Sequence, residues 1–283
     1  MKTLQTMLEA TDRALLERLK KVLAAVADDD NRVWIAYSGG VDSRFLAFAA
    51  RHLGFTPDLV HIAGAHIARS ETKRALERAR AMGLDCTVLY PALPSGEELA
   101  RAGRDRCYVC KKAVFSGVQA QFPGKRLCDG SNASDAKVFR PGVRALKELG
   151  VASPLCEAGL EKSDIRRIAA RLGMVEPDQP SKPCLLTRFA YGVRPGAEQL
   201  AICEAVETEL ESNPETRSLA VRLRYPDGEH PVLHVARASL AGREEAFLSA
   251  LCERLKKEFA PALDSLTWQV LETLSGYYDR AVR

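Results

Sequence analysis

The chain contains a serine- and glycine-rich hexapeptide, Ser38-Gly39-Gly40-Val41-Asp42-Ser43. The apolar residues 33–36 before it predict a buried strand, and residues 44–53 after it predict a helix. Paired glycines let a backbone approach a ligand closely, and a helix N-terminus offers free N–H groups to an anion. The hydroxyls of Ser38 and Ser43 add further donors. Together these features predict a nest for a phosphate or pyrophosphate.

This hexapeptide differs from the phosphate-binding loop of Walker-type nucleotidases. No lysine follows its glycines, so the Gly-Lys-Ser/Thr ending that reaches a γ-phosphate is missing. A loop that grips pyrophosphate without that lysine is one interpretation. An ordinary strand–turn–helix corner with no ligand is the other.

Two of the eight cysteines, Cys107 and Cys110, stand three residues apart where a helical pattern begins. The helix dipole and the nearby cations Arg106, Lys111 and Lys112 would favour their thiolate forms. Such a pair could form a redox disulfide, supply two ligands to a metal or cluster, or be a chance pair near the surface. No second Cys-x-x-Cys is present, so a four-thiolate zinc site is incomplete.

A third cysteine, Cys184, follows Pro183 and lies between Lys182 and Arg188. A rigid backbone in positive surroundings favours a thiolate, which is the reactive form of cysteine. The alternative is a cysteine that is merely buried.

Two arginines, Arg222 and Arg224, alternate with apolar residues in the run 219–225, which predicts a half-buried strand. Both side chains would then share one face of the strand and could clamp an anion. A solvent-facing basic stripe is the alternative interpretation.

The order of the elements must bring these residues into place. The first hundred residues read as alternating strands and helices, which predicts an α/β fold with a doubly wound parallel sheet. Ligands bind such sheets at the carboxyl ends of the strands, where the hexapeptide lies. From about residue 193 the pattern changes to a smaller α+β domain. We therefore expect domains at residues 1–192, including an amphipathic N-terminal helix, and at residues 193–283.

Composition excludes several classes of protein. The 283 residues are 46% hydrophobic and 28% charged, as in globular proteins, and the net charge of +4 does not demand nucleic acid. No apolar run approaches the roughly 18 residues of a membrane span, and the N-terminus lacks a signal-peptide pattern. We expect a cytoplasmic protein whose cysteines are mostly reduced.

Several stretches taken together resemble one family. Besides the hexapeptide, they are Arg-Cys-Tyr-x-Cys-Lys at 106–111, Asp-Gly-Ser-Asn at 129–132, Arg-Pro-Gly at 140–142, Ser-Pro-Leu at 153–155, Glu-Ala-Gly-Leu at 157–160 and Pro-Cys-Leu-x-x-Arg-x-x-Tyr-Gly at 183–192. The hexapeptide resembles the PP-loop of the ATP pyrophosphatase superfamily, whose fold is HUP-like. The whole series, over nearly the entire chain, resembles the LarE family of ATP-dependent sulfur transferases, which serve synthesis of a nickel-pincer cofactor.

The resemblance implies a reaction and a set of residues. Such enzymes adenylylate a carboxylate of pyridinium-3,5-biscarboxylic acid mononucleotide, release pyrophosphate and convert the activated acyl group to a thiocarboxylate. The residues implied to grip the pyrophosphate of ATP are Ser38, Gly39, Gly40, Asp42 and Ser43. Asp42 would also help hold Mg²⁺, while Arg222 and Arg224 would hold the substrate phosphate.

The source of the sulfur differs between branches of that family. In one branch the cysteine that corresponds to Cys184 attacks, leaves its sulfur on the substrate and becomes dehydroalanine. In another branch three cysteines hold a 4Fe–4S cluster with one open iron, an arrangement that Cys107, Cys110 and Cys184 match. Glu207 matches an acidic residue of a C-terminal metal-binding group. Relatives assemble as oligomers, so we expect a homo-oligomer.

Three positions depart from the family pattern. Ser134 and Val138 stand where many relatives have acidic residues, and Ala236 stands at a glutamate position. The change at Ala236 questions the C-terminal metal site. It also allows a different carboxylate or a modified nucleotide as acceptor.

Two other functions compete with the sulfur transferase. A tRNA thiolase or an amide-forming ligase uses the same loop, but the sequence shows no appended RNA-binding module, strongly basic stripe or glutaminase domain. A non-catalytic nucleotide-binding or cluster-binding protein is supported only by the three departures. The preferred hypothesis is the transferase, with a small nucleotide-like substrate and neither nucleic acid nor a membrane as partner.

Overall fold

The computed structural model describes residues 8–137, 140–179, 182–243 and 245–280. The chain divides into two compact units. Unit 1 comprises Met1–Gly64, Arg69–Pro94 and Cys107–Lys182, and unit 2 comprises Ala65–Ala68, Ser95–Arg106 and Pro183–Arg283. A domain boundary at residue 192 stays a prediction.

The elements follow one another along the chain with short 3₁₀ turns between some of them. The strands are β1 (Arg32–Ala36), β2 (Thr56–Ile62), β3 (Cys86–Leu89), β4 (Leu127–Cys128), β5 (Val221–Arg224), β6 (Val232–Ala236) and β7 (Thr267–Leu271). The helices are α1 (Ala10–Val26), α2 (Val41–His52), α3 (Arg69–Ala81), α4 (Gly96–Arg101), α5 (Arg106–Gln121), α6 (Pro141–Glu148), α7 (Pro154–Glu157), α8 (Lys162–Arg171), α9 (Ala197–Ser212), α10 (Glu245–Glu258) and α11 (Tyr277–Arg280).

Unit 1 is an α/β unit built on a four-stranded, all-parallel sheet in the order β3-β2-β1-β4. The central strand β1 pairs on both sides, with Ile35 opposite Leu59 of β2 and Cys128 of β4. Val33 and Ile35 are fully buried in the core that the flanking helices form with the sheet. The predicted parallel α/β sheet is confirmed, and its strands end at one edge.

The N-terminal helix α1 is amphipathic, as its pattern predicts. Leu15, Leu19 and Leu23 recur every four residues, and all three are buried in the core of unit 1. Burying each leucine contributes about 1.5–3 kcal/mol. The same face carries Asp12, which is fully buried and accepts hydrogen bonds from Arg167 and Arg171 of α8. This ion cluster fixes α1 to α8.

Unit 2 contains a three-stranded mixed sheet in the order β5-β6-β7. β5 and β6 are antiparallel, whereas β6 and β7 are parallel. The predicted small α+β architecture is therefore confirmed. Within the described ranges, no helix is both long and apolar enough to cross a membrane.

The proline in Ser153-Pro154-Leu155 predicts a loop, but this stretch begins the short helix α7. Proline presets the backbone φ of a first helical turn and lacks the N–H that would be unpaired there. Pro154 therefore starts this helix rather than preventing it.

Candidate functional site

The hexapeptide occupies the turn between β1 and α2, at the carboxyl end of β1. Gly39 has a φ of 75°, in the left-handed region. A Cβ placed on it would lie 2.6 Å from the Cβ of Ala75 in α3. Only glycine fits here, because a side chain would meet both a strained backbone and a neighbouring helix.

The loop presents its donors toward the start of α2. The Ser38 and Ser43 hydroxyls lie 3.1 Å apart, and Ser38 Oγ accepts from the Gly40 N–H at 3.3 Å. Gly40 caps α2 without a side chain of its own. The first N–H groups of a helix have no intrahelical partner, and the dipole makes this end positive. The turn is therefore suited to an anion.

A buried histidine supports the loop from behind. His61 Nδ1 donates to the Tyr37 carbonyl at 2.9 Å, and His61 Nε2 lies 3.1 Å from the Thr72 hydroxyl. Burial lowers the pKa of His61, so the ring is neutral and Nε2 accepts from Thr72. His61 thus links the end of β1 to α3.

The loop after β4 forms a second wall against the hexapeptide. A Cβ on Gly130 would lie 2.9 Å from the Ser43 nitrogen, so the two backbones touch. Asp129 precedes this glycine, is buried, and accepts from the hydroxyls of Ser131 at 2.5 Å and Ser153 at 2.7 Å. These bonds hold the second loop in a fixed shape beside α2.

Two buried polar atoms at this edge lack a well-formed hydrogen bond within the described chain. They are Oδ1 of Asp42 and Nδ2 of Asn132. Burial raises the pKa of Asp42, while the positive charge of Lys162 and hydrogen bonding from the Asn132 side chain act in the opposite direction. A buried carboxylate whose hydrogen bonding is this incomplete can accept a further ligand. Such an oxygen fits the coordination preference of Mg²⁺.

Four further residues of this edge had no role assigned from the sequence: Asn132, Asp135, Arg140 and Lys162. The Lys162 N–H donates to Ser134 Oγ at 3.2 Å, and Arg140 pairs with Asp135 at 3.0 Å. The charges of Lys162, Asp135 and Arg140 all act on the pKa of Asp42. The polar loop after β4 was a sequence signal for Asn132 and Asp135. The approach of Arg140 and Lys162 to Asp42 depends on tertiary packing, for which the sequence has no local signal.

Cys107 and Cys110 lie in the first turn of α5, as predicted. Cys107 is exposed, whereas Cys110 is 8% exposed. A Cβ on Gly142 would lie 2.8 Å from the Lys111 side chain and 3.4 Å from the Cys107 carbonyl. The glycine of the Arg-Pro-Gly stretch therefore lets α6 pack closely on the cysteine-bearing turn.

Other cysteines are held as thiols by burial. Burial raises the pKa of Cys128 to about 12 and those of Cys86 and Cys252 to about 11. Cys203 has a raised pKa for the same reason. A thiol that ionises only at high pH is a weak nucleophile at neutral pH.

Cys184 is half-buried and precedes a 3₁₀ turn in unit 2. Its carbonyl accepts from the Thr187 N–H at 3.1 Å and the Thr187 hydroxyl at 2.8 Å. Arg188, at the end of this turn, makes two bonds of 2.7 Å to Glu207. Burial lowers the pKa of Arg188, but the negative charge and hydrogen bonds of Glu207 raise it overall.

Both carboxylate oxygens of Glu207 accept hydrogen bonds from the protein in this structure. Besides the two bonds from Arg188, its Oε1 accepts from the Leu223 N–H at 3.0 Å. Ala236 ends β6 and offers only a methyl group. A metal-ligand role for Glu207 stays a prediction.

Arg222 and Arg224 lie on β5 in unit 2. Arg222 is half-buried and donates to the carbonyl of Val221 at 2.7 Å. Arg224 is 4% exposed and donates to His234 Nδ1 at 2.7 Å and to the Leu274 carbonyl at 2.6 Å. Their role toward a substrate phosphate stays a prediction.

The described residues do not supply a ready-made cluster site. Across them, no three His, Cys, Asp or Glu side chains are grouped so that they could hold a metal ion. Cys107 and Cys110 belong to unit 1, and Cys184 belongs to unit 2. A 4Fe–4S cluster held by Cys107, Cys110 and Cys184 stays a prediction, and no step below uses one. Val138 lies outside the described residues.

No family model matches the chain. It is 32% identical over 174 residues to an uncharacterized protein of Synechocystis sp., covering 60% of this chain and 65% of that protein, which is under two thirds of its length. It is 29% identical over 184 residues to an uncharacterized protein of Methanocaldococcus jannaschii, covering 64% and 70%.

One relative carries a functional name. The chain is 28% identical over 204 residues to the pyridinium-3,5-bisthiocarboxylic acid mononucleotide synthase of Lactiplantibacillus plantarum. The similarity covers 70% of this chain and 74% of that enzyme. At 28% identity, the chain is a distant relative of that synthase.

Proposed function

We propose that this protein is an ATP-dependent sulfur transferase with a PP-loop ATP pyrophosphatase fold, doubly wound and HUP-like. Its substrate would be a carboxylate of pyridinium-3,5-biscarboxylic acid mononucleotide, which it converts to a thiocarboxylate for nickel-pincer cofactor synthesis. One observation carries the proposal. The hexapeptide loop and the Asp129–Asn132 loop meet at a strand edge, where the buried Oδ1 of Asp42 has at most the Asn132 side chain as a partner among the described residues.

The first half of the reaction would use unit 1. A carboxylate oxygen of the substrate attacks the α-phosphorus of ATP, the α–β bond breaks, and pyrophosphate leaves. The N–H groups at the start of α2 and the hydroxyls of Ser38 and Ser43 would bind the departing pyrophosphate. Asp42 would hold Mg²⁺, which neutralises phosphate charge when bound. Lys162 and Arg140 would add positive charge beside it.

The second half would use Cys184. The thiolate attacks the acyl carbon of the acyl-adenylate, a thioester forms, and AMP leaves. Loss of the Cα proton of Cys184 with cleavage of its Cβ–S bond then releases the thiocarboxylate and leaves dehydroalanine. The sulfur atom of the new thiocarboxylate comes from Cys184, so each protein chain can react only once. Homo-oligomerisation and a substrate-binding role for the C-terminal domain accompany this proposal.

The test follows AMP, pyrophosphate and protein mass together. Anaerobically purified protein is incubated with ATP, Mg²⁺ and the dicarboxylate mononucleotide, and intact mass is measured after turnover. Stoichiometric thiocarboxylate and a protein lighter by one sulfur and two hydrogens are expected. Cys184→Ala should still release pyrophosphate but form no thiocarboxylate, whereas Cys86→Ala should behave as wild type. Absence of substrate-dependent pyrophosphate would overturn the proposal.

A further inference from the structure

Arg224 is a buried cation, 4% exposed, that forms no ion pair with any carboxylate among the described residues. Glu207, the nearby acid, already makes both of its short bonds to Arg188. Burial lowers the pKa of Arg224 to about 10. A guanidinium is still charged at neutral pH at that value, so Arg224 keeps its positive charge inside the protein.

The described groups that bond to or stack on Arg224 are neutral. Farther away, the positive charges of Arg188 and Arg222 lower the pKa of Arg224, and the negative charge of Glu207 raises it. His234 accepts a hydrogen bond from Arg224, and burial lowers the pKa of His234 to about 4, so this imidazole carries no charge at pH 7. The rings of Tyr277 and Tyr278 lie 4.8 and 6.0 Å from the guanidinium carbon. Nε of Arg224 is buried and has no hydrogen-bond partner among the residues described.

Most of this covering comes from one short piece of chain, residues 274–280, which we name the C-terminal strap. Its first residue, Leu274, accepts from Arg224 Nη2 at 2.6 Å. Tyr277 packs on the His234 ring with centroids 4.5 Å apart. Two latches hold the far end: the Tyr278 hydroxyl donates to the Arg188 carbonyl at 3.2 Å, and the Tyr191 hydroxyl donates to Asp279 at 2.5 Å.

We propose that the C-terminal strap is an autoinhibitory cover over an anion site at Arg224, and that a phosphate monoester displaces it. A phosphate cannot reach a guanidinium that is 4% exposed, so the strap must move before any anion binds. Replacing the strap by phosphate would give Arg224 stronger bonds. A phosphate offers charge-assisted, bidentate hydrogen bonds, whereas the strap offers a carbonyl and two aromatic faces. The unpaired Nε is one of the donors that a bidentate phosphate would use.

The identity of the phosphate carrier rests on the proposed function, in which the substrate is a mononucleotide. The covering of Arg224 by the strap does not depend on that proposed function. In the structure the strap is closed, so unit 2 is in the form that excludes the anion. Part of the binding free energy would be spent on opening it, and the apparent affinity falls by the fraction of molecules that are open.

The test measures phosphate binding in the absence of ATP. The full chain is compared with a chain ending at Thr273 and with Asp279→Ala, which breaks one latch without touching Arg224. Inorganic phosphate and nicotinate mononucleotide are titrated by calorimetry. We expect the shortened chain to bind both at least tenfold more tightly, and Asp279→Ala to bind them two- to fivefold more tightly. Arg224→Ala in the shortened chain should abolish the gain.

Unchanged or weaker binding by the shortened chain would overturn the proposal, since Arg224 would then be a permanent structural cation. If the shortened chain does not fold, Asp279→Ala and Tyr191→Phe decide the question by the same titration. Hydrogen exchange gives a second readout. Amides of residues 274–280 should exchange faster when phosphate is bound, and slower exchange would contradict displacement. Failure of pyrophosphate release with intact strap behaviour would count against the proposed function alone.

Discussion

The hexapeptide loop of unit 1 (residues 38–43) and the arginines Arg188 and Arg224 of unit 2 differ in how many of their hydrogen-bond donors the protein already uses. The loop offers neutral backbone donors and two hydroxyls beside the buried carboxylate oxygen of Asp42, which has at most the Asn132 side chain as a partner among the residues described. In unit 2, Arg188 is saturated by Glu207, and Arg224 is covered by aromatic rings and a carbonyl. Residue type alone therefore does not identify an anion site. What matters is whether the protein has already used the donors.

The largest effect should come from Asp42→Asn. Pyrophosphate release should fall about 100-fold or more, because the oxygen that would hold Mg²⁺ loses its charge. The free energy of unfolding should stay equal or rise, since burial already raises the pKa of this carboxyl and the folded state disfavours its charge. Pyrophosphate assays and urea unfolding at pH 7 measure the two effects.

Asp58→Asn is the matched control for that prediction. Asp58 pairs with Arg32 in the same sheet and is partly exposed. Its loss should leave pyrophosphate release unchanged. Equal loss of activity in both variants would mean that Asp42 acts through the fold, and the contrast between the two regions would weaken.

Breaking the Arg188–Glu207 pair should cost most of the stability of unit 2. Glu207→Gln leaves a buried guanidinium without its carboxylate, which costs about 3–5 kcal/mol in comparable pairs. Glu209→Gln on the same helix removes a partly exposed bridge to Arg254 and should cost below about 1 kcal/mol. Urea unfolding of both variants tests the difference, and similar midpoints would contradict it.

Gly39→Ala should separate close approach from backbone strain. The left-handed φ alone costs about 1 kcal/mol, and the 2.6 Å contact with Ala75 adds to that. Gly173→Ala is the matched variant, because Gly173 has a φ of 77° and open space around it. We expect Gly39→Ala to be at least about 1 kcal/mol less stable than Gly173→Ala, and to bind ATP more weakly. Equal thermal shifts would contradict the close contact.

The smallest effect concerns pH and the buried Asp12. Its pKa is lowered because the hydrogen bonds and charges of Arg167 and Arg171 outweigh burial. A depressed folded pKa gives stability that is present above the unfolded value of 3.8 and is lost as pH falls through the folded value. Wild type should therefore lose stability below about pH 4 more steeply than Asp12→Asn. Parallel pH profiles of the unfolding midpoint would contradict this.

The strands and the longer helices of unit 1 were predictable because each has a local signal, whereas the short helix α7 was not. The apolar run at β1, the glycine loop and the following helix occupy the predicted positions within a few residues. Lys162 and Arg140 were not predictable as site residues, because their approach to Asp42 depends on how α6 and α8 pack. A strand pattern likewise predicts that Arg222 and Arg224 lie on β5, but not that residues 274–280 cover Arg224.

The contact between Gly130 and Ser43 has a consequence for how the protein is made. β4 is the last strand of its sheet in sequence, yet it pairs directly with β1. A nascent chain that has emerged only as far as β3 carries the whole glycine loop but not the wall that Gly130 brings against it. Non-local pairing of this kind forms late. Tight nucleotide binding would thus arise only after β4 has been synthesised and has joined the sheet. An N-terminal fragment ending before β4 would bind ATP poorly although its hexapeptide loop is complete.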